Sequence, residues 1–472
     1  MKKNNRNLNS ITSKSISILV ALFISIIMGA NGYAVEKGRI SQTAEGVAVY
    51  RAIGSMDPDD KIRNNDILAE KFVPLEKWDY HLREPIAKKD FPRFKRLIKT
   101  FHTSAYFYIN ARTKHIDAIL SDALKSGISQ VVNLGAGYDS RAYRFHKAAP
   151  KVKFFEVDLP ETQADKIKMV KEILGKLPDW VIYCPIDFNI QTLEGELKKA
   201  GFDEAKKTLF IWEGVTMYIS AEAVAGTLRF IADHAVPGSS IVFDYMLQPI
   251  VEKDFRYYGA RAAAEAVAAW GEPITFGIYD GEAESYVNQK GLSLISDLGP
   301  QELTQKYLIR SNGKVDGRMH GFLRIAHAQV PDKSLQNELM KKPYKAFNPD
   351  PSPTSHTVAV PADIQTFFDQ YNKDLLTHEF WRIMASYSGK YLDNGATNTF
   401  MSYYWLMVCE VPSVKAITSA NTILTNLQIN GDIARYSGFT KTNMGYDLAE
   451  GIIIKENGQW KFYGNQKKAD ED

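Results

Sequence analysis

The stretch Val131-Val-Asn-Leu-Gly135-Ala-Gly137-Tyr-Asp139-Ser-Arg141 sets two glycines directly behind an apolar run. Glycine reaches positive φ without strain and lets the backbone approach a ligand where a Cβ would clash. A second apolar run ends at Glu156-Val-Asp158, so Asp158 stands twenty-three residues beyond Gly135. An acid at that distance can accept hydrogen bonds from the two ribose hydroxyls of an adenosine-bearing cofactor. On these features alone, NAD, FAD and S-adenosyl-L-methionine (AdoMet) all remain open. Two details favour AdoMet. Ser140 stands where the dinucleotide fingerprint has its third glycine. Asp139 brings a negative charge to the turn, where it would repel a pyrophosphate but tolerate a sulfonium cation.

Such residues need a sheet to hold them. From Gln130 onward, short apolar runs alternate with helical stretches. The runs are Val131–Leu134, Lys153–Val157, Val181–Pro185, Thr208–Trp212 and Ser240–Tyr245, with further strands expected at Leu292–Ile295 and Leu323–Ala328. This alternation predicts an α/β fold with a parallel sheet covered on both faces. Residues 35–125 read as a helical cap, with one helix through Phe101–Leu124, and residues 247–270 read as an insertion with an Ala-rich helix. Pro349, Pro351, Pro353 and Pro361 mark residues 331–360 as a linker. Residues 361–472 then form a separate α+β module: a helix at Asp363–Lys373, strands at Tyr403–Val411, Thr422–Ile429 and Gly451–Lys455, and a closing turn at Asn457-Gly458. Trp381, Tyr387, Trp405 and Trp460 read as core aromatics of that module.

Six motifs in order resemble the leucine carboxyl methyltransferase family, AdoMet-dependent enzymes that include protein phosphatase methyltransferases and many bacterial O-methyltransferases. They are Thr43-Ala44 with Arg51-Ala52, Arg112–Asp117, Asn133–Phe145, Glu156–Pro160 with Lys166, Glu213–Tyr218 and Gly271–Gly277. The resemblance covers about residues 40–330. It implies a Rossmann-like class I methyltransferase sheet under an N-terminal helical cap. It also implies that Arg112 and Arg51 meet the cofactor carboxylate, that Gly135 and Gly137 pass close to its amino acid part, and that Asp158 holds the ribose. Asp187 and Phe188 would meet the adenine, and Glu213 the ammonium group. An ionised carboxylate acceptor needs little beyond placement in line with the methyl group. A hydroxyl acceptor would need a base, for which Tyr218 and His146 are candidates by location only. Arg141 and Arg144 either position a carboxylate or pair with helix neighbours. The C-terminal module, through Phe367–Asn372, Trp381, Tyr387, Tyr391 and Gly458–Phe462, resembles nuclear-transport-factor-2-like (SnoaL-like) domains, cone-shaped α+β folds that bind ligands or dimerise.

The net charge of +3 comes from 58 basic and 55 acidic residues, and Lys2, Lys3, Arg6 and Lys14 account for the excess. Without them no basic surplus remains to attract phosphate backbones, so nucleic acid is not the expected partner. The basic start is followed by the apolar run Ile16–Met28 and by small residues up to Ala34, the pattern of a signal peptide over residues 1–34. The run is short for a membrane span, so an exported, soluble mature chain is expected. Cys184 and Cys409 both lie in apolar stretches and read as buried thiols, not as a disulfide framework. No metal site is expected. The acceptor is a carboxylate or hydroxyl of a small molecule or protein, with dimerisation or accessory binding through the C-terminal module. A non-catalytic binding protein on the same scaffold is the rival reading, motivated by export away from the cytoplasmic AdoMet supply.

Overall fold

Every residue of Gln130–Leu134 is buried, and so is every residue of Thr208–Trp212. Strands of this kind offer no face to water and must lie inside a sheet covered on both sides. The computed structural model describes residues 42–73, 87–95, 104–186, 191–269, 271–342, 357–392, 409 and 412–464. They form two compact units, one within 30–252 and 262–347, the other within 253–261 and 348–472. Among the described residues no helix is long and apolar enough to cross a membrane. The expected signal peptide, residues 1–34, lies outside them.

The first unit is built on a seven-stranded sheet. Its strands are β1 (Gln130–Leu134), β2 (Lys153–Asp158), β3 (Val181–Pro185), β4 (Thr208–Trp212) and β5 (Ser240–Met246). After β6 (Asp254–Phe255), which belongs to the other unit, come β7 (Ser293–Leu298) and β8 (Leu323–Gln329). Their order is β3-β2-β1-β4-β5-β8-β7. Strands β1 to β5 pair in parallel, with Leu134 opposite Val157 and Asn133 opposite Ile211, while β8 runs antiparallel to both β5 and β7. The strand order reverses between β1 and β4. Connections leaving the carboxyl ends of those two strands turn to opposite faces, which opens a crevice at that point.

Four helices bear on the crevice: α1 (Gln42–Gly54), α2 (Ser104–Lys125), α3 (Arg141–Arg144) and α4 (Pro160–Leu174). Pro160 starts α4 where its missing N–H is not needed, and Gly175 ends it at φ 78°. The amino-terminal half of α2 is buried nearly all round, so it is a core helix with polar side chains directed at partners. Helix α1 docks on it through Gly54, where a Cβ would fall 1.6 Å from Asn110 Oδ1. Asn110 Nδ2 donates to the Tyr106 and Tyr50 carbonyls, and Asn64 Nδ2 donates to the Arg51 carbonyl at 2.8 Å. These bonds fix the end of α1 that carries Arg51.

The second unit is an antiparallel meander of β9 (Ala420–Asn430), β10 (Ile433–Thr442), β11 (Gly445–Glu456) and β12 (Gln459–Gly464), with β6 added in parallel to β11. The helix Ala362–Leu376 lays Ile364 and Phe368 against Leu424, Ala434, Ile453, Trp460 and Phe462. Four sequence expectations need correction or fall outside the described residues. Strand β10 was not expected, because Arg435, Ser437 and Gly438 interrupt its apolar pattern, yet it pairs along its length with β9 and β11. Trp381 is 77% exposed and is not a core aromatic, unlike Trp460 at 7%. The segment read as linker begins with a helix, Lys333–Lys341, capped by Asp332 and anchored by buried Gln336 and Leu339. Most of Tyr403–Val411, including Trp405, lies outside the described residues. Cys184 and Cys409 are both buried, and no disulfide joins them.

Candidate cofactor site at the carboxyl end of the sheet

The turn after β1 is shaped by its glycines. Gly135 has φ 68° and Gly137 φ 38°, conformations that L side chains rarely adopt. A Cβ on Gly135 would also lie 2.3 Å from Val215 Cγ2. The N–H groups of Gly135 and Ala136 both donate to the Val157 carbonyl, at 2.8 and 3.0 Å, so the turn rests on the end of β2. Asp158 completes that junction: one carboxylate oxygen accepts from Gly137 N–H and the other from Leu159 N–H. Burial pushes the Asp158 carboxyl up, and these N–H bonds pull part of the shift back.

Glu156 lies two residues before Asp158 on β2 and so faces the same side. It is buried against Lys166 of α4 at 2.9 Å, with Tyr143 Oη donating to its second oxygen at 3.2 Å. Lys166 Nζ also reaches the Ala136 carbonyl at 3.4 Å, so this pair supports the glycine turn from behind. Burial raises the Glu156 carboxyl to about 7, with Lys166 acting against the rise. From its ordinary value near 4.5 up to about 7, folded protein holds a proton that the unfolded chain has released. Stability therefore falls as pH rises through that window, by at most about 1.4 kcal/mol per pH unit. Glu156→Gln is expected to flatten the dependence of the unfolding midpoint between about pH 5 and 7. An unchanged slope in denaturant titrations would show that Glu156 does not titrate there.

Across the crevice, Glu213 follows β4 and is held by two arginines. Arg112 Nε lies 2.9 Å from Oε1, and Arg141 Nη1 donates to Oε2 at 2.6 Å. Burial alone would raise the Glu213 carboxyl, but Arg141 and Arg112 outweigh it and keep it below the usual range. Arg112 also reaches Asp244 of β5, a fully buried carboxylate that accepts from Tyr108 Oη at 3.1 Å and Gly214 N–H at 2.6 Å. Arg51 Nη2 donates to the Tyr138 carbonyl at 2.6 Å, so the cap arginine touches the glycine turn directly. Asp139 accepts from Arg141 N–H at 2.6 Å and pairs with the Arg141 guanidinium. Tyr138 of the same turn donates its Oη to Asp165 at 2.7 Å.

The motif set converges. Thr43 Oγ1 of α1 donates to Glu272 of the late loop, whose Thr275 is bonded to the Met217 and Ile219 carbonyls beyond β4. Of the expected site residues, Arg51, Gly135, Gly137 and Asp158 meet at the turn, and Arg112 meets Glu213 opposite. Asp187 and Phe188 lie outside the described residues. Tyr218 is a poor base: burial raises its phenol, and the charge of Glu272 adds to the rise, so it stays protonated. His146 stacks on Trp180 with centroids 3.6 Å apart. Asp244, Asp66 and the bridging role of Arg141 were missed. An acid inside a buried strand was the available signal for Asp244.

Arg51 Nε, Arg112 Nε and Glu213 Oε1 are buried and make no hydrogen bond of good geometry among the described residues, although all three are ion-paired, Arg51 Nε with Asp66 at 3.4 Å and Arg112 Nε with Glu213 Oε1 at 2.9 Å. Guanidinium N–H groups and a carboxylate oxygen in this state suit a ligand bearing both a carboxylate and an ammonium group. Elsewhere Glu194, Glu204 and His234 bring ligand atoms within 4.8 Å of one another. Lys198 already pairs with both acids there, at 2.7 and 3.2 Å, and supplies the cation.

The chain is similar to several known proteins. The family model for leucine carboxyl methyltransferase matches residues 44–232. A protein of Bacillus subtilis (strain 168), assigned as an S-adenosyl-L-methionine-dependent methyltransferase, is 29% identical over 197 residues, 42% of this chain and 64% of the relative. The chain thus spans just under two thirds of that relative. A Streptomyces coelicolor protein with the same assignment is 30% identical over 237 residues, 50% of this chain and 78% of the relative. A solved DUF574 family protein from Streptomyces avermitilis is 15% identical, covering 61% of this chain and 97% of its own at a TM-score of 0.38. With the glycine turn, the acid ending β2 and the matched relatives in agreement, the chain belongs to the leucine carboxyl methyltransferase family.

Proposed function

We propose that this protein is an AdoMet-dependent O-methyltransferase whose acceptor is a carboxylate or hydroxyl of a small molecule or protein. The observation that carries the reading is the meeting of Gly135, Gly137, Asp158, Arg51, Arg112 and Glu213 at the carboxyl ends of β1, β2 and β4, where buried guanidinium and carboxylate atoms are ion-paired but lack a hydrogen bond of good geometry. AdoMet, when bound, supplies a methyl group already activated by its sulfonium. Asp158 would accept from the ribose hydroxyls, Arg112 and Arg51 would meet the carboxylate, and Glu213 the ammonium. Asp187 and Phe188 would face the adenine. The protein's further task is to hold the acceptor oxygen in line and exclude water, which suits a carboxylate acceptor best because it needs no base. In support, Tyr218 beside this site stays protonated.

The C-terminal unit is proposed to be a nuclear-transport-factor-2-like module serving accessory binding or dimerisation. Its helix packed on an antiparallel sheet supports this reading, as does the break in β9–β10 register at Ser437/Gly438. Residues 1–34 are proposed to direct export, so that the mature protein works where another compartment or cell supplies AdoMet. Titration calorimetry with AdoMet, followed by transfer of labelled methyl from AdoMet to a panel of carboxylates and phenols, tests the central reading. Micromolar binding with transfer to at least one acceptor is expected. Absence of binding overturns the reading. Recovery of the full-length chain in the cytoplasmic fraction overturns the export proposal.

A further inference from the structure

Eight charged side chains form one alternating chain through the first unit. Arg51 lies 3.4 Å from Asp66, and Asp66 lies 3.4 Å from Arg144. Arg144 pairs with Asp117 at 2.7 Å, and Asp117 with Arg141 at 2.7 Å. Arg141 pairs with Glu213 at 2.6 Å, Glu213 with Arg112 at 2.9 Å, and Arg112 with Asp244. Arg141 sits at the middle of this chain, only 2% exposed. It touches acids from three places at once: Asp117 on α2, Asp139 in the glycine turn and Glu213 beyond β4. Its remaining nitrogen faces the Thr113 carbonyl at 3.5 Å, so each of its three nitrogens is turned to a partner within the protein. A planar fork with five N–H groups can hold three separated acids in this way, and a lysine ammonium cannot.

We propose that Arg141 is a positioning residue for AdoMet, aiming Glu213 at the cofactor's ammonium group and, through Asp117 and Arg144, tying that acid to the cap arginine Arg51. The proposal rests on the AdoMet reading above. Glu213 is faced by Arg112 from α2, by Arg141 and Asp139 from α3 and the turn, by Arg51 from the cap, and by Asp244 on β5 across Arg112. Loss of Arg141 leaves burial of Glu213 opposed by fewer cations, so its protonation moves to higher pH.

The test is calorimetric AdoMet affinity of the full chain from pH 6 to 8, for wild type, Arg141→Met, Arg141→Lys, Glu213→Gln and the double variant Arg141→Met/Glu213→Gln. Wild type is expected to bind with little pH dependence. Arg141→Met is expected to lose about tenfold at pH 8 and about a hundredfold at pH 6. The double variant is expected to bind no worse than Glu213→Gln alone, because Arg141 acts through that acid. Should Arg141→Met not fold, Arg141→Lys carries the test, with a smaller loss and the same weakening toward pH 6. An Arg141 variant with the wild-type affinity and flat profile overturns the proposal, as do independent, additive losses in the double variant. Wild type that binds no AdoMet at any pH overturns the functional reading, and this inference with it.

Discussion

Asp158→Ala is expected to weaken AdoMet binding at least about a hundredfold, the largest loss of any single change at the turn. A charged acceptor contributes roughly 1.5–3 kcal/mol per hydrogen bond, and the ribose offers two hydroxyls. The same carboxylate also accepts from Gly137 N–H and Leu159 N–H, so its removal loosens the turn as well as the ligand contact. The carboxylate is half-buried at the mouth of the crevice. Its loss is therefore expected to lower folding stability by only about 1 kcal/mol. Asp158→Asn keeps one acceptor oxygen and is expected to fall between wild type and alanine. Calorimetry together with a denaturant titration separates the two effects. An alanine variant with wild-type affinity would exclude Asp158 from the cofactor site.

Asp244→Ala is expected to have the opposite signature, a large loss of stability. Asp244 is fully buried and binds Arg112, Tyr108 Oη and Gly214 N–H. Truncation leaves a buried guanidinium with one carboxylate partner fewer, and a hydroxyl and an N–H with none from this side chain. Breaking a buried pair from one side typically destabilises by about 3–5 kcal/mol. The urea midpoint should fall accordingly, with cofactor affinity lost in the same variant because Arg112 no longer has a fixed position. Asp244→Asn keeps a single acceptor oxygen, which can serve Gly214 N–H or Tyr108 Oη but not both, and should lose somewhat less than the alanine variant. A midpoint within error of wild type for Asp244→Ala would show that Glu213 alone suffices to hold Arg112.

Strand β10 illustrates why part of the fold was hidden. Its pattern, Ile433-Ala-Arg-Tyr-Ser-Gly-Phe, has no sustained alternation, and it becomes a strand because β9 and β11 both present paired edges to it. Trp381 illustrates the converse. Aromatic character argued for burial, but the short helix Phe380–Met384 turns Ile383 and Met384 inward and leaves the indole outside.

What the sequence determined by itself is what short-range physics encodes. Apolar runs bounded by breakers made the parallel strands. Gly135 and Gly137 made the turn, because only glycine takes those φ values readily, and Asp158 stood at the end of the next strand. These signals act over a few residues and survive in any local reading. The ionic chain from Arg51 to Asp244 belongs to the tertiary structure alone. Arg112 meets a partner 132 residues away and Arg141 one 72 residues away. Every charge is visible in the sequence, but nothing local says which acid faces which arginine. The strand order, by bringing α2 and the ends of β1, β4 and β5 to one crevice, buries those side chains together, and burial forces each charge to take the partner within reach.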